Sequence, residues 1–116
     1  MKMRAILLLV VLFAALGRPS ARPYPESGCR PDTVALAAAR DIGLTPQETR
    51  KLEELLREKF DSLDRRMYGI TDPVERSAIA RRTHGEFTAK LRATYSPQKS
   101  NHIEGWYYNY MNRNNN

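Results

Sequence analysis

This 116-residue chain holds a single cysteine, so no disulfide can form within it. Its six glycines stand far apart, and none belongs to a loop that cradles phosphate. His84 and His102 are the only imidazoles, and neither HxxxH nor CxxC spacing is present, so a metal site with Cys29, Asp or Glu is not expected. Serine, histidine and aspartate all occur, but no nucleophile motif surrounds any of them. A chain this small and helical has little room to bury a catalytic cleft, and no enzyme activity or cofactor is expected. No segment alternates apolar and polar residues as a half-buried strand does. Beyond residue 16 no run is apolar enough to cross a bilayer.

What is present begins with Lys2 and Arg4, followed by an unbroken apolar run from Ala5 to Leu16. Small residues come next, with cleavage expected after Gly17 or Ala21. This is the pattern of a secretory signal peptide over residues 1–21, and the run is shorter than the roughly 20 residues of a membrane span. The expectation is a secreted protein with no stable membrane insertion after cleavage. Cys29 lies too far behind the apolar run to be a lipid-attachment site. Cleavage would remove Lys2, Arg4 and Arg18 with no acid, so the net charge of +6 would fall to +3. Such mild basicity, in an exported chain, does not suggest nucleic acid as a partner. In an oxidising compartment Cys29 would either pair between chains or stay reduced in a flexible segment.

Residues 22–31 carry Arg22, Pro23, Pro25, Ser27, Gly28 and Pro31 and read as a flexible leader. An Ala-rich stretch from Thr33 to Ile42 reads as a short helix, with Asp32 at its start and Gly43 at its end. In Leu44-Thr45-Pro46-Gln47-Glu48, Thr45 stands at an N-cap, Pro46 at N1 and Glu48 at N3, the pattern of a capping box. Leu52, Leu55, Leu56, Phe60, Leu63 and Met67 then recur on one helical face. Gly69 is a natural stop. Asp72-Pro73-Val74-Glu75 repeats the cap–proline–acid order, and a third helix follows to about Tyr95 with Ile79, Ala80, Thr83, Phe87 and Leu91 on its apolar face. Tyr95-Ser96-Pro97-Gln98-Lys99 opens a fourth helix, lined by Ile103, Trp106, Tyr107, Tyr110 and Met111, with Tyr108 pointing elsewhere. Lys99 cannot accept from the Ser96 N–H, so this second start lacks the box. The expected fold is all-α. A long amphipathic helical hairpin is flanked by a short N-terminal helix and an aromatic C-terminal helix, and the Asn-rich residues 113–116 form a frayed tail. One narrow apolar seam per helix is a thin core for a monomer, which points to a homodimer.

The two pentapeptides, the long charged helix, the turn, the second long helix and the aromatic ending resemble the Spy/CpxP family of bacterial periplasmic proteins, which carry paired LTxxQ motifs. The resemblance covers about residues 43–112. Where that family has glutamine at the fifth motif position, this chain has Glu48 and Lys99, and its glutamines stand one place earlier as Gln47 and Gln98. The resemblance implies an antiparallel homodimeric cradle in the periplasm. It also implies ATP-independent binding of unfolded or misfolded envelope proteins under stress. Some relatives instead bind metal or signal to an envelope sensor protein, and a small secreted interaction protein is the remaining alternative.

Binding of unfolded clients needs apolar groups beside mobile charges. Arg65, Arg66 and Met67 near the end of the second helix, with Arg81 and Arg82 in the third, are the candidate client or partner patch. Cations at a helix end are equally at home there for electrostatic reasons alone. Ala78, Gly85 and Ala89 form a small-residue stripe opposite Phe87 and Leu91, suited to close approach of another backbone.

Overall fold

The computed structural model describes Tyr24 and residues 26–114, and the signal segment and the last two residues lie outside them. The described residues are all-helical, with no strand. Four helices follow one another: α1 (Pro31–Ile42), α2 (Pro46–Met67), α3 (Pro73–Thr94) and α4 (Pro97–Asn114).

Each helix begins with proline at its first turn, where the missing N–H is harmless. Thr45 Oγ1 accepts from the Glu48 N–H at 3.1 Å, while Glu48 Oε1 accepts from the Thr45 N–H at 2.9 Å, which closes the capping box of α2. Asp72 accepts from the Glu75 N–H at 2.9 Å at the start of α3. α1 differs from expectation at its start. It begins at Pro31 with Arg30 as N-cap, and Asp32 sits in the first turn. Its end is closed by Gly43 in the left-handed region (φ 73°), where the lack of a Cβ removes the steric penalty. Gly69, also left-handed at φ 77°, lets the chain turn between α2 and α3.

Across that turn α2 and α3 lie against one another. Arg66 reaches Thr83 and Glu86, and Lys90 reaches Glu58, so contacts run in opposite order along the two helices. The main core joins Leu52, Leu56 and Phe60 of α2, Phe87 and Leu91 of α3, Ile103, Trp106, Tyr107 and Met111 of α4, and Val34, Ala35, Ala37 and Ala38 of α1. α1 therefore shares one core with the segment from residue 43 onward, and no boundary in packing falls there. A smaller cluster of Leu63, Met67 and Ile79 lies toward the turn.

Part of the segment read as a flexible leader is packed. Tyr24 covers the smaller cluster, Glu26 meets the middle of α2, and Cys29 is half-buried against the main core. The apolar content of the segment is too low for the sequence pattern to show this, since an aromatic ring, a carboxylate and a thiol make the contacts.

The paired pentapeptides also meet. Leu44 is buried and Tyr95 half-buried against the same core. Tyr95 donates its hydroxyl to the Glu48 carbonyl at 2.7 Å, and Lys99 Nζ lies 3.5 Å from Glu48 Oε1. Burial, with the charges of Glu48 and Glu54, pushes the Tyr95 hydroxyl up to about 12. The lysine that breaks the second capping box thus pairs with the glutamate that completes the first.

Candidate functional site

The apolar stripe of α2 is interrupted once. Lys59 stands seven residues after Leu52, three after Leu56 and four before Leu63, on the buried face, and its side chain is only 1% exposed. An ammonium there needs an acceptor for each of its three protons. Glu26 Oε2 accepts at 2.6 Å, the Tyr107 hydroxyl at 2.9 Å, and His84 Nδ1 lies at 3.1 Å. Tyr107 in turn donates to Glu26 Oε2 at 3.0 Å. The ammonium also sits 4.4 Å from the Tyr107 ring centroid and 5.1 Å from that of Phe87. Four elements of the chain therefore converge on one buried charge.

This environment perturbs each partner. Burial pulls Lys59 below the free lysine value, against the opposing charge of Glu26. Burial pushes Glu26 upward, but the Lys59 charge and the hydrogen bonds from Lys59 and Tyr107 outweigh it and hold the carboxyl below its usual range. Burial and the Glu26 charge raise the Tyr107 hydroxyl well above 10. His84 lies at the exposed edge of the cluster, and desolvation of its ring on the inner side, with the neighbouring Lys59 charge, holds it below 6.5. Its Nδ1 is an acceptor here, so the ring proton belongs on Nε2.

Acid should act on this cluster in two stages. His84 is depressed in the folded chain, so the unfolded chain takes up its proton first, and stability falls as pH drops below about 6.5. Glu26 is also depressed, so its contribution is present above about 4.5 and is lost as pH falls through the folded value. Urea midpoints measured from pH 8 to pH 3 should show both stages, and His84→Ala should remove the upper one. A flat profile between pH 7 and 5.5 in the unmodified protein would contradict the His84 placement.

The arginine patch expected from the sequence is divided. Met67 is core, packed with Leu63 and Ile79 at 5% exposure. Arg66 holds α2 to α3, donating to Thr83 Oγ1 at 2.8 Å and pairing with Glu86 at 3.0 Å. Arg65 reaches Ser62 and Arg81 reaches Ser77 on their own helices, and both stay exposed, as does Arg82. The apolar groups displayed near this end are instead Tyr68, 88% exposed, and Val74, 75% exposed, either side of the turn. Ala78, Gly85 and Ala89 face solvent, and a Cβ at Gly85 would meet open space. Among the described residues no three His, Cys, Asp or Glu side chains are arranged to hold a metal.

Lys59, Glu26 and Tyr107 were not singled out from the sequence as a group. The signal for Lys59 was present: a charge in register with an otherwise apolar stripe. Nothing local marks Glu26, whose partners lie 33 and 81 positions away. Comparison with family models, curated proteins and solved structures finds no match to this chain.

Proposed function

We propose that this is a secreted periplasmic protein that binds unfolded or misfolded polypeptides without ATP or a cofactor. In this reading α2 and α3 form a helical hairpin, and two copies pair antiparallel to make a client surface. The observation that carries it is the turn end of α2 and α3. Tyr68 and Val74 are exposed either side of the turn, and Arg65 before it and Arg81 and Arg82 about two turns into α3 face solvent. Exposed apolar groups among mobile cations suit a weak, general binder, because unfolded chains expose apolar and charged groups together and shallow contacts release them readily.

The test is light scattering of a chemically denatured client diluted into buffer without ATP. Suppression at comparable molar amounts supports the proposal. Combining Tyr68→Ala, Arg65→Ala, Arg81→Ala and Arg82→Ala should reduce that suppression several-fold while far-UV circular dichroism stays unchanged, since all four side chains are exposed. Undiminished scattering with the protein fully helical would overturn it.

A further inference from the structure

Tyr24 and residues 26–30 lie against the helices, held at two ends by different kinds of contact. At one end, the Tyr24 ring completes the Leu63, Met67 and Ile79 cluster, its hydroxyl donates to Asp64, and the Arg76 guanidinium lies 5.9 Å from its centroid. At the other, the Glu26 carboxylate meets Lys59 and Tyr107. The segment closes on itself, with the Ser27 N–H donating to the Tyr24 carbonyl at 2.9 Å and the Cys29 N–H to the Glu26 carbonyl at 3.1 Å. Tyr24 and Glu26, separated by one position, bring a ring and a carboxylate to the helices, and Cys29 packs against the main core.

The receiving side is committed to a carboxylate. Lys59 is fixed in the α2 stripe under Phe87 and Tyr107, and Glu26 supplies the opposing charge. A buried ammonium without a counter-charge is strongly unfavourable. Any segment that displaced Glu26 would have to bring an acid of its own. The Leu63–Met67–Ile79 surface, with Asp64 and Arg76 at its rim, likewise suits a ring bearing a polar tip.

We propose that the helical surface receiving the Tyr24 ring and the Glu26 carboxylate is a peptide-recognition site and that these two side chains are its built-in occupants. It takes client segments with an aromatic residue two places before a carboxylate, presented in a tight turn. The segment of the chain itself competes at the millimolar effective concentration typical of a short tether, so external segments enter only when it lifts. The proposal rests on the polypeptide-binding reading above and names the sequence class that one of its surfaces selects.

The experiment uses the full chain and a fluorescent peptide of residues 22–30 in which Cys29 is replaced by serine. Tyr24→Ala with Glu26→Gln weakens the built-in segment while leaving an acceptor on Lys59. Anisotropy should show the double variant binding the peptide at least about tenfold more tightly than the unmodified protein. A peptide carrying Glu26→Lys should bind neither. If the double variant is unfolded, the peptide added in trans should restore helical circular dichroism, because a ligand that binds only the folded state raises its population. Equal affinities, or a variant that neither binds the peptide nor is refolded by it, would overturn the proposal. Aggregation suppression is read separately: peptide binding lost with suppression intact overturns the peptide site alone, and the reverse overturns the chaperone reading alone.

Discussion

Lys59→Ala is expected to lower the free energy of unfolding by about 3–5 kcal/mol, the range for breaking a buried ion pair by removing one partner. The Lys59 side chain is 1% exposed and the Glu26 side chain 12% exposed, so the abandoned carboxylate could not simply turn to water. The substitution also removes the cation that lies over the Phe87 and Tyr107 rings and leaves the Tyr107 hydroxyl with one partner fewer. Against a typical total of about 5–15 kcal/mol, this loss would leave a marginal or unfolded domain. Urea denaturation followed by the fluorescence of Trp106, the only tryptophan, measures it. The companion is Lys59→Met combined with Glu26→Gln, which replaces both charges by groups of similar size. That pair should be appreciably more stable than Lys59→Met alone, because the desolvation of two charges disappears together with their attraction. A Lys59→Ala loss below about 1 kcal/mol, the range of an exposed pair, would mean that the cluster is not the closed network described.

Trp106→Ala is the second large effect, expected at about 3–5 kcal/mol as for other buried aromatic truncations. Trp106 stacks on Tyr110 with centroids 4.7 Å apart and donates its Nε1–H to Asp41 Oδ2 at 2.9 Å, joining α4 to the end of α1. That hydrogen bond is the main reason the Asp41 carboxyl is held below its usual range. Without the indole, α1 keeps its small alanine face, Val34 and the partly buried Ile42 against the rest of the core. Far-UV circular dichroism against urea is the measurement, since the fluorescent probe is gone. Trp106→Phe should recover most of the loss, leaving a deficit of about 1 kcal/mol for the missing hydrogen bond. A Trp106→Ala protein as stable as the parent would show that α4 is not needed to hold α1.

The chain's local grammar was readable because helix starts and helix faces are set by neighbours within one turn. Thr45 with Glu48, and Asp72 with Pro73, carry their meaning within four residues, and the buried faces of α2, α3 and α4 follow the 3.6-residue period. The candidate site was less legible. Position along two helices groups Arg65, Arg66, Met67, Arg81 and Arg82, but exposure depends on what packs on each side. Met67 turned into the small cluster and Arg66 across to α3.

The same division holds for the whole molecule. The all-helical class, the caps of α2 and α3 and the apolar faces follow from short-range sterics and hydrogen bonding, which a linear pattern records, whereas α1 starts earlier than its Asp32 suggested. That Tyr24 packs on the Leu63 cluster, that Glu26 meets Lys59, and that Lys99 of the second pentapeptide pairs with Glu48 of the first follow only from packing. Those contacts join residues 33 and 51 positions apart. Each exists because burying one apolar surface carries a particular charge out of water, and that charge is stable only where the fold brings its opposite within reach.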